Sequence, residues 1–311
     1  GHNDEAPPAR AQLDDDEIAL ALEHAHHRAN QLPGAAAFAS ALDAHGNAVA
    51  WQRDITGRGW SCPIVWGERV FVTTAVSYGE VEEAKQGLYF GGERKDRPSA
   101  EHVWLVVCLD LNTGAVVWEK EVHRGVPEKG LHIKNSYASE TPVTDGARVY
   151  AYFGNVGLFC LDFDGNLVWD RRWPPVRTQA EWGTAASPAL QDGRIYIVND
   201  NQDQSFLESV DCQSGSTVWR VDRDEKSNWS TPFVWVNEQR TEIVTPGSRL
   251  TRAYDLAGHE LWQLGGASSI TIGTPYSAHG LLYVSSGYIL DKRHPLWAIQ
   301  PGATGDISLK D

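Results

Sequence analysis

The chain has 311 residues, enough to bury a substantial core, and its 41 acidic against 27 basic side chains give a formal net charge of −14. An acidic surface of that size argues against nucleic acid or an anionic membrane as a partner. No run of about 18 apolar residues occurs, so no membrane span is expected.

Residues 1–12, rich in Ala, Pro and charge, read as a disordered tail. Gly1-His2, with no Met before it, reads as the start of an expressed mature segment, with any export signal or lipid anchor upstream. Asp14-Asp15-Asp16-Glu17 opens a predicted short helix to about Asn30 that ends in His24, His26, His27 and Arg28, charges that complement the helix dipole. His24 and His27 share a face of it. A solvated helix end accounts for them more simply than a metal site, and no metal is expected.

From Leu42 onward one unit recurs: apolar strand, Asp, tight turn with Gly, strand, Trp. A degenerate copy runs from Leu42-Asp43 to Trp51, and fuller ones are Val107–Trp118, Leu161–Trp169, Val210–Trp219 and Tyr254–Trp262. Their acids are Asp110, Asp162, Asp211 and Asp255, and their closing residues Trp118, Trp169, Trp219 and Trp262. Asp, Asn and Gly supply the side-chain acceptor and free backbone that such a turn requires. A small residue followed by Pro precedes each unit, at Pro63, Pro142, Pro188, Pro232 and Pro275, and the last four lie 46, 44 and 43 residues apart. That period, with about four short strands per unit, predicts an all-β chain of four-stranded antiparallel β-propeller blades.

The first full unit, Ser61–Trp118, is stretched by a charged, Gly-rich insertion at Ser77–Glu101, expected to form loops on one face. Units Thr141–Trp169, Ser187–Trp219 and Thr231–Trp262 are compact. The fifth, Thr274–Leu309, has no Trp at its end, and its hairpin is expected to survive with Ile307 or Leu309 in that place. Residues 1–34 are thus assigned to tail and helix and 35–311 to the propeller. Five full units and a partial one imply a ring of about six to eight blades. Either residues 35–51 complete a blade or the natural chain continues. Cys62, Cys108, Cys160 and Cys212 fall in separate units and are expected as small buried strand residues, with a disulfide as the alternative. Asp162-Phe163-Asp164-Gly165-Asn166 loosely resembles a calcium loop without its downstream Glu, and reads as a hairpin turn.

The pattern apolar-x-Asp-x-x-x-Gly-x-x-x-Trp resembles the tryptophan-docking motif of pyrroloquinoline-quinone (PQQ) type propellers over about Leu42 to Leu309. The runs Gly57-Arg58-Gly59-Trp60-Ser61, Asn135–Pro142 and Asp224–Trp229 look like exported bacterial PQQ-binding-like repeat proteins. The resemblance implies that each Trp caps a neighbouring blade, with its indole N–H bonded to backbone. It extends to quinoprotein dehydrogenases, which bind PQQ over Ca²⁺ beneath a Cys-Cys pair that is absent here, and to the propeller lipoprotein of outer-membrane-protein assembly, a scaffold without cofactor.

In a propeller the segment before each proline lies at the mouth of the central channel. Those segments carry Arg58 and Trp60; His132, Lys134, Asn135, Tyr137 and Glu140; Arg177, Glu181 and Trp182; Lys226, Asn228 and Trp229; and Ser268, Ser269 and Thr271. Aromatic rings beside Arg, Lys, Asn and Glu can stack on and hydrogen-bond a ligand, though the same residues could pack between blades and pair with one another. Glu140 and His132 are candidates for an acid–base pair. The preferred reading is an exported, periplasmic or secreted, non-catalytic propeller that binds a protein or glycan through its mouth and the Ser77–Glu101 loop, without a cofactor. A PQQ- and Ca²⁺-dependent oxidoreductase and a polysaccharide-active enzyme are the alternatives.

Overall fold

Short strands joined by Asp-Gly turns can bury both faces only by stacking sheet on sheet. The computed structural model describes residues 49–81 and 98–309. The expected N-terminal helix, its histidines, most of the partial repeat and the centre of the insertion lie outside the described residues.

Five antiparallel sheets follow one another along the chain. The first is β1 (Ile64–Trp66), β2 (Arg69–Ser77), β3 (His102–Asp110) and β4 (Val116–Gly125). The second is β5 (Val143–Thr144), β6 (Arg148–Phe153), β7 (Gly157–Asp162) and β8 (Leu167–Arg171). The third is β9 (Ala189–Gln191), β10 (Arg194–Asn199), β11 (Ser205–Asp211) and β12 (Thr217–Arg223). The fourth is β13 (Phe233–Val236), β14 (Thr241–Thr245), β15 (Leu250–Tyr254) and β16 (Glu260–Gly265). The fifth has three strands, β17 (Tyr276–Ala278), β18 (Leu281–Ser285) and β19 (Leu296–Ile299), and β20 (Gly305–Asp306) follows.

The first strands of successive sheets pack side by side, β1 on β5, β5 on β9, β9 on β13 and β13 on β17, which arranges the sheets about one axis. Apolar cores fill each gap between sheets: Phe71, Cys108 and Val149; then Tyr150, Cys160 and Ile195; then Tyr196, Leu207 and Ile243; then Val244, Leu282 and Val284. Middle strands, covered on both faces, are apolar runs such as Val103–Leu109, whereas outer strands such as β4 alternate. This is the β-propeller architecture. All four cysteines are free; Cys108, Cys160 and Cys212 are buried and Cys62 is exposed.

The repeated residues have separable jobs. Asp110 accepts the N–H groups of Asn112 and Thr113, and Asp211 those of Gln213 and Ser214. Asp162 likewise closes a turn on Asp164 and Asn166. The Thr113 hydroxyl, with backbone N–H groups, holds the Asp110 carboxyl below its usual pKa. Each Trp reaches forward into the next turn. The indole N–H of Trp51 donates to Leu111 O, Trp118 to Phe163 O, Trp169 to Cys212 O and Trp219 to Leu256 O, at 2.7, 2.8, 3.1 and 2.9 Å. The same four rings lie over Gly114, Gly165, Gly215 and Gly258, where a Cβ would come within 3 Å of the indole.

The residues before the prolines are stitched together as well. Cys62 N–H donates to the Thr141 hydroxyl, Thr141 N–H to Ser187 and Ser187 N–H to Thr231, at 2.9, 2.9 and 3.0 Å. A small hydroxyl at that position thus binds each sheet to its predecessor near the axis. Gly215 has a φ of 71°, and a Cβ added there would lie 2.7 Å from the Trp169 ring. Gly215→Ala is therefore expected to lower folding stability by about 1–2 kcal/mol, measurable by urea denaturation.

The fifth unit corrects the sequence reading. Its hairpin does not form: β19 pairs with β18 alone, and β20 crosses to pair in parallel with β16. The Ile307 N–H donates to Gln263 O, and Gly265 N–H to the Ser308 hydroxyl. Gln300-Pro301-Gly302 replaces the Asp that would organise the turn, and Pro brings no N–H to it. Trp262 departs from the other repeat tryptophans in turn. It is 1% exposed and donates to Glu242 within its own sheet.

Candidate functional site

The segments before the prolines meet one another in rotation, because each follows the outer strand of one sheet and leads into the inner strand of the next. Trp60 donates its backbone N–H to Ala138 O and its indole N–H to Lys134 O, at 3.0 and 2.9 Å. Asn135 donates to Trp182 O and Thr184 O, at 2.9 and 3.1 Å, while His132 N–H reaches Trp182 O. The Trp229 indole donates to Gly183 O at 2.7 Å, and its backbone N–H to Thr271 O at 2.9 Å. Residues 42 or more apart in sequence are thereby fixed by backbone-directed bonds.

These bonds assemble an aromatic arc. The His132 ring stands edge-on to Trp182 at 5.9 Å between centroids, and Trp182 tilts against Trp229 at 5.6 Å. Trp60, 57% exposed, lies beside Lys134 at one side of it. Lys226 is exposed, and Arg177 pairs with Asp203 at 2.6 Å. Between them the 3₁₀ turn Gln179–Glu181 holds Ala180 and Glu181 at positive φ, 50° and 53°. Glu181 fixes that strained backbone by accepting Gly130 N–H.

Other candidates turn inward. Tyr137 donates its hydroxyl to Lys129 O and packs on Trp104 and His102. Arg58 is half-buried and bridges Ala75 through its backbone. Asn228 is buried and donates to Asp200. Ser268 and Thr271 are buried, whereas Ser269 stays exposed and bonds Asp291. Glu140 is 1% exposed, against Gly154 and Thr184, with Oε1 lacking a hydrogen-bond partner among the described residues. His132 stays on Trp182. The side chains split into exposed or half-buried residues around the arc and a buried polar support.

The support includes groups that sequence inspection missed. Asp200 and Arg223 form an ion pair with no exposed side-chain surface, through Nε–Oδ1 at 2.8 Å and Nη2–Oδ2 at 2.9 Å. Arg223 also donates to Thr245 and Tyr254 in the next sheet. Burial pushes the Asp200 carboxyl up, and the Arg223 guanidinium opposes it. Toward PQQ and Ca²⁺, the described residues offer one buried carboxyl with an unbonded oxygen, Glu140. Among the described residues no group of three His, Cys, Asp or Glu is placed to hold one ion.

A family profile described as PQQ-type, outer membrane protein assembly factor BamB, matches residues 104–288, more than half of the chain. The chain belongs to this family. The solved structure of BamB from Moraxella catarrhalis is similar at 17% identity and a TM-score of 0.39, over 60% of this chain and 52% of that one. Quinohemoprotein alcohol dehydrogenase from Comamonas testosteroni is similar at 12% identity and a TM-score of 0.48, over 78% of this chain and 40% of that one. The chain therefore spans about half the length of the first and less of the second, and likenesses this distant do not bear on activity. No curated protein matches the sequence significantly. No helix among the described residues is long and apolar enough to cross a membrane.

Proposed function

We propose that this protein is an exported, non-catalytic scaffold of the periplasm that holds a partner protein at the channel mouth, in the manner of an outer-membrane assembly factor. One observation carries this reading: the arc His132–Trp182–Trp229, three rings from successive connecting segments packed on one another, with the Trp229 indole bonded to Gly183 O. Rings already packed against one another lose little side-chain entropy when a partner covers them, which is the property of an interface anchor. Trp60 and Lys226 extend the contact surface at its margins.

Binding to a periplasmic protein extract, quantified by crosslinking and mass spectrometry, tests the proposal. Trp182→Ala is expected to weaken capture of the partner by about tenfold or more, with the far-ultraviolet dichroism unchanged. Undiminished capture by both Trp182→Ala and Trp229→Ala would place the contact elsewhere. A parallel glycan array separates a carbohydrate ligand, for which the arc would stack sugar rings instead.

A further inference from the structure

The sequence holds three Asp-Gly pairs, Asp145-Gly146, Asp164-Gly165 and Asp192-Gly193, and no Asn-Gly. Asp before Gly is open to a reaction of the chain with itself. The glycine nitrogen attacks the carboxyl carbon of the preceding side chain and closes a five-membered ring, and a residue without Cβ leaves that approach clear. In a folded chain the backbone must turn to bring the two atoms together, so any restraint on the glycine has to open first.

Two of the three pairs are restrained. Gly146 N–H donates to the Thr144 hydroxyl at 3.1 Å, and the Trp66 ring covers the glycine, 2.4 Å from where a Cβ would stand. The Asp145 carboxylate is itself held, by the N–H groups of Ala147 and Arg148 and by the Tyr150 hydroxyl. Gly165 N–H donates to Asp162 O at 3.1 Å, and the Trp118 ring lies over that glycine, which is buried. Asp192-Gly193 has none of this. Gln191 and Arg194 pair across it, so these two residues are the whole loop, and their φ angles of 49° and 71° mark a type I′ turn. No described group accepts the Gly193 N–H. Both residues are exposed, and a Cβ at Gly193 would meet nothing within 4 Å. The Asp192 carboxylate has one hydrogen-bond partner, the side-chain amide of Gln191 at 2.9 Å.

We propose that Asp192 is a modification site, converting spontaneously to isoaspartate in the folded protein far ahead of Asp145 and Asp164. Water is the only co-reactant. The lone pair of Gly193 N bonds to Cγ of the protonated carboxyl, and the carboxyl hydroxyl leaves with the amide hydrogen as water, giving a succinimide. A second water then opens the ring. Attack at Cγ restores aspartate; attack at the Asp192 backbone carbonyl carbon leaves the chain running through the side chain, one methylene longer, with a free α-carboxylate. The added atom falls in the two-residue loop that sets Leu190 opposite Ile195. β9 packs beside both β5 and β13, so the change reaches the inner strands around the axis. The modification is independent of whatever partner occupies the aromatic arc.

Prolonged incubation of the folded protein at mildly acidic pH, followed by proteolysis and electron-transfer mass spectrometry of the peptides, tests it beside a sample kept in urea. Isoaspartate is expected at Asp192 at least about tenfold faster than at Asp145 or Asp164, the ratio that a barrier difference of about 1.4 kcal/mol sets. In urea, where hydrogen bonds and ring cover are gone, the three should react at similar rates. Asp192→Glu, whose longer side chain does not close the five-membered ring, should lose the isomerised peptide and keep the native melting transition. Isomerisation of Asp145 or Asp164 keeping pace with Asp192 in the folded protein would overturn the proposal. So would an Asp192 that stays intact while the urea sample reacts at all three pairs, or an isomer of its peptide that persists in Asp192→Glu.

Discussion

Replacing Arg223 with alanine is expected to cost about 3–5 kcal/mol of folding free energy, seen as a fall of roughly 10 °C in melting temperature. The size of the effect comes from what is left behind. Neither Arg223 nor Asp200 has exposed side-chain surface, and the guanidinium answers both carboxylate oxygens at 2.8 and 2.9 Å. Without it, Asp200 keeps the Asn228 amide but loses its counter-charge inside the protein. Thr245 and Tyr254 in the fourth sheet lose a donor at the same time. Removing both charges together, as in Asp200→Leu with Arg223→Met, should cost far less, because no lone ion remains. A loss under about 1 kcal/mol in the single variant would show that water reaches the pair in solution.

Glu140 should make stability depend on pH in the direction opposite to ordinary acid denaturation. Burial raises its pKa from 4.5 to about 7, opposed by the Thr184 hydroxyl and by backbone groups of Glu140, Gly154 and Ser139. The folded protein therefore holds this proton more tightly than the unfolded chain does. Its contribution is fully present below pH 4.5 and is lost as pH rises through about 7. Over that window about 3 kcal/mol disappears. Glu140→Gln cannot ionise, so it should match the native protein near pH 4.5 and exceed it by about 2–3 kcal/mol at pH 8. Urea unfolding of both proteins from pH 5 to 8 isolates this group, since all other titrations cancel in the difference. Parallel stability profiles would mean that Glu140 is solvated when folded. The charge on Glu140 also bears on the Tyr152 hydroxyl, which accepts from Asn199.

The architecture was legible because its signals are local and repeated. Asp110, Asp162 and Asp211 each close a turn within four residues, and Gly114, Gly165 and Gly215 each receive a ring that no side chain could tolerate. Spacing then places Trp118 and Trp169 in order around the axis. The fifth unit misled because apolar alternation survives in Leu296–Ile299 and again at Ile307 and Leu309, while Gln300-Pro301 cannot build the connecting turn.

The meeting of the segments before the prolines was legible, but not their division of labour. Trp60, Tyr137, Trp182 and Trp229 look alike in sequence, yet Tyr137 faces Trp104 and His102 whereas Trp182 and Trp229 face each other. Asp200 and Arg223 read as solvated charges because their burial depends on Thr245 and Tyr254 arriving from another sheet.

The forward reach of each indole sets where one module of this protein stops and the next starts. Trp118 grows from the first sheet yet completes the turn of the second, and Trp169 and Trp219 repeat the arrangement onward. The sheet is thus not the smallest self-sufficient piece: excised alone, it would carry a ring with nothing to cover and a turn with nothing covering it. Cohesion passes along the chain like overlapping roof tiles, and the natural segment boundary falls after a tryptophan's host turn, one hairpin later than the eye would cut.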